Sequence, residues 1–204
     1  MIKKWFKQFV LENKYDICTV AMLLIIGFVC GIGIYFIVND NTTNDLLNTV
    51  KNVFDLSAGE KIIKSNVITN SLKINLVLIL ALLFFSITLI GKWCIYFTTM
   101  LKGIAIGIYT CILFAIFGFW WGIVATLLLV VLINIIYIPT YIYISTTLLA
   151  FNFELFNTKK DTTNLYCVTK TLTKLVAAFA FIFSSSILEQ VLTNVVFKIY
   201  EKIS

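Results

Sequence analysis

Leu101–Pro139 reads LKGIAIGIYTCILFAIFGFWWGIVATLLLVVLINIIYIP, and Lys102 is its only charged residue. A helix needs about 20 residues to cross roughly 30 Å of hydrocarbon. The run is about twice that length, so it predicts two crossings back to back, Leu101 to about Phe119 and Ile123 to about Phe151. The connection falls in Gly118–Gly122, around Trp120 and Trp121, where indole rings prefer the membrane–water interface.

The rest of the chain has the same character. Of its 204 residues, 60% are hydrophobic and 13% charged, a balance that excludes an ordinary soluble domain. The net charge of +6 comes entirely from Lys, with no Arg and no His. These Lys residues cluster at the ends of apolar runs, a pattern of membrane orientation and not of nucleic-acid binding. The five Cys are scattered without a CxxC pair, so they read as small buried hydrophobes and give no metal or redox site.

Outward from the central run, the sequence predicts an all-α integral membrane protein, a five-span helical bundle. Residues 1–16 form a basic amphipathic cytoplasmic segment carrying Lys3, Lys4, Lys7 and Lys14. Residues 17–38 are span one, too long for a signal-peptide apolar core. That span contains Gly27-x-x-x-Gly31, small residues that let two helix backbones approach closely. Residues 39–73 are polar but patterned. Thr42 with Asp45, and Ser57 with Glu60, have capping-box spacing. They predict two short amphipathic helices outside the membrane, the first presenting Leu46, Leu47, Val50, Val53 and Phe54 as an apolar stripe. Spans two to four occupy 74–151, with span two over 74–97; span four is too long for one straight crossing, so it either tilts or breaks near Pro139. Residues 152–174 form a cytoplasmic polar loop, and 175–204 hold span five and a short outer tail. A cytoplasmic N-terminus puts ten Lys inside and six outside, the asymmetry that the positive-inside rule requires. The C-terminus is then extracytoplasmic.

Three polar groups fall within the spans. Lys92 lies near the inner end of span two and can snorkel to the headgroups. Asn134 lies near mid-membrane, where its amide needs a partner, either another helix or carbonyls released by Pro139. Glu189 lies about 22 Å along a helix from Lys174, toward the outer leaflet and at a different depth from Lys92. An intramembrane acid suggests ion handling or contact with a partner's cation; the equal alternative is a carboxylate tilted toward outer-headgroup water beside Ser184–Ser186. For catalysis the chain carries no GxSxG, no HExxH, no phosphate-binding Gly loop and no paired carboxylates. The expectation is a protein that is not an enzyme and needs no cofactor.

Several positions together are similar to a known family. Asn70-Ser71-Leu72-Lys73 enters span two, and Leu101-Lys102-Gly103-x-x-x-Gly107 opens span three. Asn134-x-x-x-x-Pro139 follows in span four, and a serine-rich stretch precedes Glu189 in span five. In order and spacing the chain resembles stage II sporulation protein M of endospore-forming bacteria over nearly its whole length. It departs in having Leu132 where the family often has Pro, and Tyr137 where relatives outside the sporulation branch carry an acid.

The resemblance implies a membrane scaffold of engulfment in the mother-cell septal membrane, localising the peptidoglycan-remodelling stage II sporulation proteins D and P. Packing or partner positions would be Asn70, Gly103, Gly107, Asn134, Pro139 and Glu189, with Leu47, Val50 and Phe54 forming an outer docking face. Charges at Leu47 and Phe54 are then expected to release the partners. The alternative is a small transporter or permease subunit using Glu189 and Asn134. Homo-oligomerisation stays open on both readings.

Overall fold

The computed structural model describes residues 9–38, 42–50, 64–157 and 163–203, and these are nearly all helical. After a helical turn over 9–12 come α1 (Lys14–Ile37), α2 (42–50), α3 (Lys64–Ser86) and α4 (Gly91–Thr126). A π-helical segment, Leu127–Leu132, leads into α5 (Ile133–Asn157), and α6 is Thr163–Ile203.

Among the described residues, Lys14–Ile37, Gly91–Phe156 and Val168–Val196 are long and apolar enough to cross a membrane, and Ser71–Ser86 is a shorter apolar helix. Their apolar residues are not confined to inward faces. Helix α1 buries Val20 and Leu24 while exposing Met22, Ile25, Ile26, Val29 and Phe36. Exposed Val77, Leu80, Phe84, Phe97, Val176 and Phe181 extend that surface around the other helices. A helix apolar all round needs an apolar environment on every side, and soluble monomers do not expose such continuous area. The chain is membrane-associated.

The central run reverses where the sequence predicts. Gly118 has φ +70° and ψ −177°, interrupting α4, in a backbone region essentially restricted to glycine. Beyond it the chain folds back, so that a Cβ added at Gly122 would lie 3.0 Å from the Phe114 Cα. Eight residues of straight helix would hold those positions about 12 Å apart. The reversal is thus concentrated in one residue, and exposed Trp120 already belongs to the returning helix.

Two apolar cores hold the bundle. One joins Leu24 of α1, Leu82 of α3, Ile95 of α4, Tyr141 and Leu148 of α5 and Ile182 of α6. The other surrounds the Gly118 end, where Leu113, Phe117, Ala125, Leu129 and Val196 are joined by Val50 of α2 and Tyr200 of α6. Phe117 and Tyr200 meet edge to face at 5.6 Å.

Some element boundaries differ from the sequence expectation. The expected helix over 74–97 is divided by a turn at 87–90. Ser86 Oγ donates to the Leu83 carbonyl at 2.6 Å and Thr88 Oγ1 to the Phe85 carbonyl at 2.8 Å. These hydroxyls take carbonyls from the end of α3, while Ile87, Leu89 and Ile90 keep the turn as apolar as the helices around it. Helix α3 also begins at Lys64, so no helix boundary falls at 73/74. Residues 152–157 and 163–174, expected as a loop, are helical ends of α5 and α6. Helix α5 runs unbroken through Pro139, and the irregular backbone lies upstream, in Leu127–Leu132.

Candidate functional site

The closest helix pair is α1 against the first arm of α4, and glycine makes it so. A Cβ at Gly27 would strike the Met100 carbonyl oxygen and lie 3.1 Å from the Gly103 Cα; one at Gly31 would strike the Ile104 carbonyl oxygen. Reciprocally, a Cβ at Gly103 would strike the Leu24 carbonyl oxygen, and one at Gly107 the Phe28 carbonyl oxygen. Gly27-x-x-x-Gly31 and Gly103-x-x-x-Gly107 therefore pack on each other, backbone against backbone. Without a hydrophobic driving force between helices in lipid, such close contact supplies the association energy. Gly33, two residues beyond the motif, has nothing within 4 Å of its Cβ position.

Beside this lock a groove of about 600 Å³ lies between α1, α4 and α5. Leu24 and Phe28 form one wall, Gly103 and Ile106 the floor, and Asn134 and Pro139 part of the other wall. Asn134 Nδ2 donates to the Val130 carbonyl at 2.7 Å. The amide thus serves its own chain at the end of the π-helical segment, not the carbonyl released by Pro139 or a second helix. Among the described residues that line the groove, Asn134 is the polar side chain in an otherwise apolar surface. The neighbouring Ile135 carbonyl loses its helical donor because Pro139 has no N–H.

Glu189 is tied to α3. Ser71 Oγ donates to Glu189 Oε2 at 2.5 Å, lies 3.3 Å from Ser186 Oγ, and accepts from Asn75 Nδ2 at 3.4 Å. Among the described residues, Lys102 carries a charge that interacts with this carboxylate, and its ammonium stands 4.6 Å from the centre of the Tyr137 ring. From the sequence, Lys102 is expected at the start of span three. Because α4 begins at Gly91, Lys102 falls inside its first arm instead of at a helix start. Lys92 stands ten residues earlier in α4, about 15 Å along the helix from Lys102, with its ammonium 5.7 Å from the Tyr96 ring centre.

A further clamp went unnoticed in the sequence. Asn152, buried in α5, donates both amide protons, to the Ser86 and Thr88 carbonyls, each at 2.8 Å. It closes the 87–90 turn, and Gly91 completes the fit because a Cβ there would lie 2.8 Å from Asn152 Nδ2. An Asn at the edge of a polar segment carries no sequence signal for a partner 64 residues away. Of the expected outer face, Val50 packs into the Gly118-end core, Leu47 is half-buried, and Phe54 lies outside the described residues. The Asn70 side chain is likewise outside them.

The described polar side chains of the spans thus act mainly between helices or on their own backbone. Of the residues carrying the resemblance, Gly103, Gly107, Asn134 and Pro139 lie at the glycine lock and its groove, and Ser71 and Glu189 meet each other. A scan of family models and searches of curated proteins and solved structures find no match to the chain.

Proposed function

We propose that this chain is a five-crossing membrane scaffold of the kind its resemblance to stage II sporulation protein M implies. It holds the cell-wall-remodelling proteins D and P at the septal membrane during engulfment. The observation that carries the reading is the mutual packing of Gly27-x-x-x-Gly31 and Gly103-x-x-x-Gly107, a rigid seam built from one of the stretches on which the resemblance rests. Other such positions support it: Ser71 is bonded to Glu189, and Asn134 and Pro139 line the same groove as Gly103. Reversals at 87–90 and Gly118, at opposite ends of the first arm of α4, suit five alternating crossings. The N-terminus is then cytoplasmic and the C-terminus extracytoplasmic. Asn134 and Glu189 face different neighbours, which favours the scaffold over a transporter using both in one site.

The groove is the face we assign to a partner's transmembrane helix. The groove lining is apolar apart from Asn134, and Gly103, Asn134 and Pro139, three of the positions that carry the resemblance, all belong to it. Close packing of a helix on such a surface is what associates spans in lipid. The test is co-isolation of tagged chain with proteins D and P from sporulating cells. Retention of both, lost in Ile135→Trp, supports the scaffold. Absence of both from the wild-type isolate overturns it.

A further inference from the structure

The end of the bundle at the 87–90 turn holds a second, smaller cavity of about 170 Å³. Asp16, Lys92 and Asn152 give it a polar interior, and Leu89, Phe153 and Phe156 give it an apolar rim. Asp16 and Lys92 are opposite charges that do not close on each other. Both are held by Tyr96 instead: its hydroxyl donates to Asp16 Oδ1 at 3.3 Å, and its ring centre lies 5.7 Å from the Lys92 ammonium. Asn152 has spent both amide protons on the Ser86 and Thr88 carbonyls. Its remaining polar atom, Oδ1, can only accept.

One small cavity therefore offers two acceptors, the Asp16 carboxylate and Asn152 Oδ1, and one cationic donor, Lys92. We infer that it binds the headgroup of a zwitterionic phospholipid bearing a primary ammonium, of the phosphatidylethanolamine type. The ammonium donates to Asp16 and Asn152 Oδ1, and the phosphate accepts from the Lys92 ammonium. The acyl chains pass over exposed Leu89 and Phe153. A choline headgroup carries no N–H to satisfy the two acceptors. An anionic glycerol headgroup would meet the Asp16 carboxylate with no cation to offer it. The inference rests on the membrane reading above, which puts the 87–90 turn at headgroup level.

Native mass spectrometry of the purified full chain tests it, after reconstitution in vesicles of equal parts phosphatidylethanolamine, phosphatidylcholine and phosphatidylglycerol. Wild type is expected to retain phosphatidylethanolamine about tenfold over phosphatidylcholine, the scale of one charge-assisted hydrogen bond. Asp16→Asn should bring the ratio close to one, and Lys92→Gln, at an exposed position, should lower retention of every phospholipid while keeping the ratio above one. Equal retention of the three lipids by wild type, or an unchanged ratio in Asp16→Asn, overturns the site. Alkaline carbonate extraction separates the two ideas. Release of the chain into the supernatant brings down the membrane reading and the site with it, whereas a pelleted chain without lipid preference brings down the site alone.

Discussion

Alanine at Gly31 and alanine at Gly33 are the same chemical change two residues apart on α1, and the structure predicts opposite outcomes. In a helix interior Gly→Ala gains about 0.5–1 kcal/mol by restricting the unfolded chain. At Gly33 nothing lies within 4 Å of the new methyl, so that gain stands and the variant should match or exceed wild type. At Gly31 the methyl meets the Ile104 carbonyl oxygen and lies 2.9 Å from Ile104 Cα. These are rigid backbone atoms, not the tip of a flexible side chain, so the helices must separate. Overpacking of this kind costs about 1–3 kcal/mol, and a gap of 0.5–1 Å along the seam forfeits roughly a quarter to a half of each contact's attraction. The net expectation for Gly31→Ala is a loss of about 1–2 kcal/mol. Gly103→Ala should lose a similar amount. Gly27→Ala with Gly103→Ala should lose less than the sum, because the same two backbones are already parted. The assay is reversible unfolding in mixed detergent and dodecyl sulfate micelles, followed by tryptophan fluorescence. Equal stability of Gly31→Ala and Gly33→Ala would refute the glycine lock.

Gly118→Ala places a side chain at φ +70° and should cost about 1–3 kcal/mol in the same assay, although its Cβ position is otherwise open. Asn152→Leu leaves the Ser86 and Thr88 carbonyls without their shared donor and should cost about 1–3 kcal/mol, with faster amide exchange confined to 86–91. A double-mutant cycle on Lys102→Met and Glu189→Gln should show a coupling of about 0.5–3 kcal/mol, and strict additivity would mean that the two charges do not sense each other. Val50→Asp should lower stability because Val50 packs into the Gly118-end core, while Leu46→Asp, at an exposed position, should change it by less than about 0.5 kcal/mol.

The long apolar run made the hairpin legible, because its length exceeds one crossing and its glycines mark the reversal. Gly27-x-x-x-Gly31 was readable as a packing face, but its partner was not. Four glycines at matching spacing identify each other only once α1 and α4 lie side by side. The turn at 87–90 was hidden for a different reason. Ile87, Leu89 and Ile90 are as apolar as the flanking helices, and the signals that make the turn are hydroxyl bonds to carbonyls, which hydropathy does not register. With the boundary at 87–90, Lys102 lies inside α4, where its charge interacts with that of Glu189. Of the two ways a long span four can fit, a tilt or a break near Pro139, the helix excludes the break: it runs on through the proline, which removes one donor and shifts one carbonyl, a disturbance that a long helix absorbs. Asn134 was recognised as needing a partner, and the partner is its own Val130 carbonyl.

The five-crossing account places α2 and the Gly118 turn on one side of the membrane and the 87–90 turn on the other. Single-cysteine variants test this most directly, made at Asn48, Phe119, Leu89 and Phe156 after replacement of the five native cysteines and treated on intact cells with a membrane-impermeant maleimide. The account predicts labelling at Asn48 and Phe119 without permeabilisation, and at Leu89 and Phe156 only after it. Labelling of Asn48 and Leu89 from the same side would contradict it.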